Sequence, residues 1–550
     1  MADSDVKMPI SHFGAEFMTS PVPGKDRIGG KGYHLSVMSE LGLPVPPGFT
    51  VETELCRRYH VEGKLPPELS EQLSWALTDL GKRCGRSFWS EERPLLVSVR
   101  SGSVSSMPGM LETILNIGLN EKTVEGLAAD AGNPRFAWDS YRRLVASFGS
   151  TVYKIPRARF EEVYTAEKRR MGAVLDREVD ADGYREVVQR LLAVFESATG
   201  KPFPQDPQVQ LIEAVEAVLK SWTGARAIEY RKLHEIPESD GTAVTVQAMV
   251  FGNHGYASGT GVAFTRNPST GDRGLYVDFL VNAQGEDIVS GGVDPDSGDE
   301  LMRSLPSIHQ QLLEFGRILE NHFGDMQDME FTVEEGKLYL LQTRVGKRTP
   351  LAAVRIALDL AEEGIIDRKT ALDRLRHISA RSVRQPRLEI PPDAQPLVTG
   401  EVASLGSLSG RLAVSSEGAR KLKRQGEPVI LVRPETRTED LEGIISADGI
   451  VTARGGRTSH AAVVARHLGK ACITGCSRLE IDEAGQMVRA GGRALAEGEW
   501  ISMDGRSGGV YPGRFESRHE EEDPVVEEAR KWARDLGYGD HPLLETAGER

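Results

Sequence analysis

Residues 455–470 read GGRTSHAAVVARHLGK, and His460 stands where a glycine-rich loop passes into a helical pattern. The start of a helix carries unpaired N–H groups and the positive end of the macrodipole, which favour an anion. An imidazole that titrates near neutral pH is a good nucleophile for phosphorus. A phosphohistidine formed at that position keeps its negative charge at the positive helix end. Thr458 and Ser459 can cap the helix or donate to such a phosphate, and the glycines permit close approach of a substrate. A capped helix with an incidental histidine has the same pattern, and the stretch alone does not separate the two.

A second constellation lies in DMEFTVEEGKLYLLQTR, residues 328–344. Asp328, Glu330 and Thr332 alternate with Met329, Phe331 and Val333, the period of a half-buried strand, and EEGK marks a hairpin. Gln342 and Arg344 share one face of the second strand. Carboxylates and a side-chain amide are hard oxygen ligands suited to Mg²⁺, which bridges nucleotide phosphates. Arg344 is placed to stabilise a transferring phosphoryl group. A solvated face of an edge hairpin is the plainer alternative. Arg100 follows the buried run PLLVSV (94–99) and meets the small-residue loop SGSVSSMPG (101–109), where a guanidinium grips phosphate or closes an ion pair. Lys31 lies in GKDRIGGKG, which fails the P-loop spacing because Lys25 stands for the first glycine and Gly32 for the Ser or Thr. Backbone N–H groups beside glycines at a helix start still cradle phosphate. A simple turn reads the same way.

The elements that position these residues belong to several cores. At about 150 residues per domain, a chain of 550 residues implies three or four. The net charge of −14 argues against a broad nucleic-acid surface. No apolar run approaches the ~18 residues that span a bilayer, and the acidic N-terminus has no apolar core of a signal peptide. Four cysteines in so long a chain do not form a disulfide framework. These features predict a cytoplasmic protein with reduced thiols, without a nucleic-acid or membrane partner.

Residues 31–42 predict a helix ending on glycine, and 134–235 are mostly helical. Strands are predicted at 243–252 and 274–282, a helix near 300–323, then the hairpin. Residues 351–396 read as a helical linker ending in a proline-rich hinge, RQPRLEIPPDAQP. Residues 397–515 hold short strands (PVILV, GIVT, ACIT) and one clear helix after Ser459. An acidic tail, 516–550, opens as a linker helix.

Six blocks, in order, resemble the pyruvate, phosphate dikinase family of phosphoenolpyruvate-utilising enzymes: 29–51, 95–120, 246–271, 282–291, 326–349 and 433–476, the last ending GGRTSHAAVVARHLGKACITGC. The resemblance implies an α/β (α+β) multidomain fold. An ATP-grasp-type nucleotide-binding region would cover 1–350 with a helical insert at about 134–235. A swivelling β/α phosphohistidine domain would cover 397–515. It implies His460 as phosphoryl carrier, with Lys31, Arg100, Asp328, Glu330, Gln342 and Arg344 as nucleotide-binding positions. Of these, Arg100 and Arg344 would also be catalytic, and Glu330 and Gln342 would hold Mg²⁺. Thr458 matches a threonine that is a regulatory phosphorylation site in some plant members.

In the family, ATP and phosphate leave phosphohistidine, AMP and pyrophosphate, and the phosphoryl group passes to pyruvate. The C-terminal (β/α)₈ barrel that binds pyruvate or phosphoenolpyruvate in the family needs roughly 250 residues. The resemblance therefore leads us to expect no such barrel in this sequence, and an acceptor bound outside it. The alternatives are a complete dikinase reaction with a separate barrel subunit and a non-catalytic nucleotide-binding scaffold or sensor.

Overall fold

The computed structural model describes residues 10–14, 18–105, 107, 111–173, 176–290, 296–380, 382–384, 386–436, 440–457, 459–519 and 523–544. Packing divides the chain into two compact units. The first is Met1–Ala257 with Tyr339–Thr343, the second Ser258–Leu338 with Arg344–Arg550. Both mix helices and sheets, giving the multidomain α/β architecture that the resemblance implies.

The first unit is built on a five-stranded antiparallel sheet in the order Ile10–Phe13, Gly48–Val51, Thr242–Ala248, Val97–Ser103, Thr113–Ile117. The loop expected from residue 101 begins as strand instead, because Ser101, Gly102 and Ser103 continue the ladder against Val244, Ala243 and Thr242. Helix Lys25–Glu40 crosses this sheet and kinks at Gly29, whose φ of 66° favours glycine. A Cβ on Gly29 would collide with the carbonyl oxygen of Gly102. Two facing glycines thus let the helix rest directly on strand backbone. The helical insert begins earlier than expected, at Thr123, and runs through six helices to Leu233. Its core includes Trp138, Tyr141, Phe148 and Phe195.

In the second unit, strand Gly259–Arg266 is central. It pairs antiparallel with Arg273–Val281 on one side and Gln327–Glu334 on the other. The predicted hairpin turns at Glu335 and Gly336, with φ of 47° and 76°, the positive pair a two-residue turn requires. Strand Lys337–Val345 follows.

Beyond it lies an eight-stranded sheet. Ser407–Ala413, Val429–Arg433, Gly449–Thr452 and Ala471–Thr474 run parallel at its centre, with antiparallel strands outside them. Three helices pack here: Ser416–Arg424, Leu441–Ser446 and His460–His467. Only the last is legible in the sequence. Ser416–Arg424 buries just Gly418 and Ala419, too little for an apolar stripe to be read.

Helices Pro350–Glu362, Arg368–Arg374 and Pro524–Asp535 share one core around Val354, Leu372 and Trp532. The acidic tail therefore contributes an amphipathic helix with a buried face. The two crossings between these helices and the eight-stranded sheet meet as a small antiparallel ribbon, Pro386–Leu388 against Ser517–His519. Among the described residues no helix is long and apolar enough to cross a membrane.

Candidate active site

In the first unit, the rest of helix Lys25–Glu40 after the Gly29 kink carries Lys31. A Cβ built on Gly102 would lie 3.4 Å from Lys31 Cβ. The strand beneath carries Arg100, which is half-buried. Its guanidinium donates to Leu341 O (3.1 Å), Gln342 Oε1 (3.4 Å) and Gln247 Oε1 (3.4 Å). These acceptors are uncharged and fix the orientation of the fork. Arg100 and Gln342, far apart in sequence, are thus neighbours within this unit. Gln247 was not singled out from sequence; it is buried, and its Nε2 donates to Pro46 O at 3.0 Å.

In the second unit, Arg344 Nε donates to Asp328 Oδ2 at 2.7 Å. The Asp328 side chain is only 4% exposed, and its Oδ1 has no hydrogen-bond partner among the described residues. Burial pushes the Asp328 carboxyl up, against the pull of Arg344, while Asp328 holds the guanidinium charged. Removing one member of such a pair leaves an uncompensated buried charge, which is costly.

Register places the partners of this pair. Asp328 lies opposite Phe264, which lies opposite Tyr276; Glu330 lies opposite Val262, which lies opposite Asp278. Residues directly opposite in antiparallel strands share a face. Asp328, Glu330, Asp278, Phe264 and Tyr276 therefore occupy one face of the sheet.

The orphaned Asp328 oxygen and the half-buried Glu330 supply hard oxygen donors on that face, a chemistry that fits Mg²⁺. No group of three or more His, Cys, Asp or Glu among the described residues forms a metal cage. A magnesium ion held by one or two side chains, water and nucleotide phosphates requires none.

His460 is the first residue of helix His460–His467 and is half-buried. Its Nδ1 lies 3.2 Å from Oγ1 of Thr436, itself 4% exposed. Thr436 was missed in the reading of single residues, although it lies inside the quoted block 433–476. Ser459 is the N-cap, yet its hydroxyl makes no capping bond. Buried at 4% exposure, its Oγ has no partner among the described residues. Of the two roles read for Ser459, capping the helix or donating to a phosphate, the cap is not made. Thr458 lies outside the described residues. The four cysteines are free, and burial pushes the Cys472 thiol up to about 12.

Fold and site together define a mixed α/β multidomain protein with basic, acidic and imidazole groups gathered on sheet faces and at helix starts. The family model for the pyruvate phosphate dikinase AMP/ATP-binding domain matches residues 57–300 and 307–364. The model for the PEP-utilising enzyme mobile domain matches 425–508. The first match takes in Arg100 and the 328–344 hairpin, the second His460, and Lys31 precedes both.

The chain is 46% identical over 517 residues to pyruvate, phosphate dikinase of Clostridium symbiosum, covering 92% of this chain and 59% of the relative. It is 46% identical over 516 residues to the enzyme of the same name from Rhizobium meliloti (strain 1021), covering 92% and 58%. The chloroplastic pyruvate, phosphate dikinase 1 of Oryza sativa subsp. japonica is 46% identical over 515 residues, covering 92% and 54%. The chain belongs to the pyruvate, phosphate dikinase family. It spans rather more than half the length of the curated relatives it matches.

Proposed function

We propose that this chain transfers a phosphoryl group from ATP to His460. His460 attacks the β-phosphorus, the bond to the α-phosphoryl oxygen breaks, and AMP leaves. Inorganic phosphate then takes the terminal phosphoryl group as pyrophosphate, and phosphohistidine remains. The phosphoryl group passes on to an acceptor, for which pyruvate, the compound in the relatives' names, is the first to test.

One observation carries this reading: His460 opens a helix with Nδ1 against a buried threonine hydroxyl. In the tautomer that donates Nδ1–H to Thr436, the lone pair sits on Nε2, the nitrogen a phosphoryl acceptor needs. The family matches add a nucleotide domain and a mobile domain in one chain.

The assigned roles follow from charge. Lys31 and Arg100 bind phosphate oxygens. Arg344, oriented by Asp328, meets negative charge that develops in the transition state. Glu330 and Gln342 are the oxygen donors assigned to Mg²⁺. The ion, when bound, neutralises phosphate charge and orients the leaving group. Residues 397–515 are read as a domain that swings about the ribbon of crossing strands, carrying the loaded histidine between donor and acceptor. Thr458 is read as a site where added phosphate would block His460.

The test is incubation with ATP labelled at the β-phosphate, together with Mg²⁺ and phosphate. Acid-labile label is expected on the wild type and absent from His460→Ala, with AMP formed in step. Wild-type protein that takes up no label and makes no AMP ends this reading.

A further inference from the structure

Two arginines bracket His460: Arg457 three residues before it and Arg466 six after. Both leave their own domain's sheet and land on aromatic rings of the nucleotide-side sheet. The Arg457 guanidinium lies 4.7 Å from the centre of the Tyr276 ring and pairs with Glu401 at 2.9 Å. The Arg466 guanidinium lies 5.4 Å from the centre of the Phe264 ring. Tyr276 and Phe264 are directly opposite each other, and Phe264 is opposite Asp328. The arginines therefore touch the same sheet face that carries Asp328 and Glu330.

Arg466 is unusual in its burial, at 2% exposure. Its Nη1 donates to Ala403 O (2.8 Å) and Arg457 O (2.7 Å), while Nε and Nη2 have no partner among the described residues. Ser269, in the turn after strand Gly259–Arg266, donates its Oγ to the same Ala403 carbonyl at 3.0 Å. Ala403 O thus joins the loop before His460 to the nucleotide-side sheet. The nearby acids Asp328 and Asp278 partly offset the burial of the Arg466 charge. A structural core seldom keeps a cation in this state, since burying charge without full pairing is costly. A contact surface that must open again has a use for it: cation–π attraction gives direction, and the incomplete pairing keeps the contact weak enough to release.

We infer that Arg457 and Arg466 form a two-point clamp that seats the His460 loop on the Phe264–Tyr276 face and so positions the histidine for phosphorylation. This rests on the reading of His460 as carrier and adds a docking surface and its residues to it. Both arginines are positioning residues. The clamp acts only in loading the histidine, so it governs the rate of phosphohistidine formation and not the affinity for ATP.

The experiment uses the full chain in single-turnover labelling from β-labelled ATP, alongside equilibrium ATP binding. Arg457→Ala and Tyr276→Leu are the variants, since Arg466 is too buried to change without risk to folding. Misplacement of a reacting group costs on the order of 100-fold. Each variant should form phosphohistidine about 10- to 100-fold more slowly with ATP affinity within twofold of wild type. Arg457→Lys should recover part of the loss. The double variant should be no slower than the slower single one, because the two residues share one contact. Multiplied defects in the double variant, or a loss of ATP affinity equal to the loss of rate, overturn the clamp. So does labelling of Arg457→Ala at the wild-type rate. Wild-type protein that takes no label overturns the carrier reading and the clamp with it, which distinguishes the two failures.

Discussion

Thr436 Oγ1 stands 3.2 Å from Nδ1 of His460, across 24 residues of sequence. A hydroxyl at this distance selects a tautomer and holds the ring plane. Loss of one such bond corresponds to about 1.4 kcal/mol, or roughly tenfold in rate when it acts on the reacting group. Thr436→Val is therefore expected to slow phosphohistidine formation about tenfold, and Thr436→Ser to restore most of it. Rapid-quench labelling measures both; equal rates for Val and wild type would remove Thr436 from the site.

The Gly29–Gly102 approach makes a sharper demand on stability. Gly29→Ala places a Cβ against a backbone carbonyl at positive φ. The φ alone costs about 1–2 kcal/mol for an L-residue, and the clash adds to it. Gly42 has φ of 73° but nothing within 4 Å of a built Cβ, so Gly42→Ala should cost only about 1 kcal/mol. Thermal melts of the two variants rank them, and ATP binding should fall only for Gly29→Ala, which shifts Lys31.

His34, in the same helix, is held neutral. Burial, with Lys25 adding to it, lowers its pKa to about 4. The unfolded chain binds a proton near the ordinary 6.5, the folded chain only near 4. This contribution to stability is full above pH 6.5 and is lost as pH falls towards 4, at most about 3 kcal/mol. Denaturant midpoints at pH 7 and pH 5 should separate for wild type by about 2 kcal/mol more than for His34→Gln. Parallel pH dependence in the two proteins would refute the assignment.

Trp532 anchors the last helix. It is 2% exposed, its Nε1 donates to Glu528 Oε1 at 2.8 Å, and the Arg368 guanidinium lies 4.4 Å from its ring centre. Trp532→Ala is expected to cost about 3–5 kcal/mol, seen as a lower melting temperature with loss of near-ultraviolet ellipticity. An unchanged melt would mean that this core contributes little.

What the sequence revealed depended on range. The hairpin was readable because alternation and the turn residues Glu335 and Gly336 act locally. The bond from Arg344 to Asp328 is seen only in the fold. The contact of Arg100 with Gln342 spans 242 residues and no local pattern encodes it. Arg466 gives no local signal, because an arginine within AAVVARHLG reads as the polar face of a helix. Its burial arises only when another sheet covers that face. The strand after Val99 was misjudged because Ser101, Gly102 and Ser103 look like loop. Their small size serves the close approach of helix Lys25–Glu40. The buried face of Pro524–Asp535 was masked by the acidic residues beside it.

The ribbon formed by Pro386–Leu388 and Ser517–His519 makes the histidine-bearing segment a cartridge. Its entrance and exit are adjacent, with Leu388 opposite Ser517, so a two-residue turn joining them would excise everything between while preserving the ladder beneath. The helices that share the Trp532 core lie wholly outside the cut. The same geometry allows a cartridge from a relative to be spliced in at those two positions, so the His460-bearing segment can be exchanged without redesigning the rest of the chain.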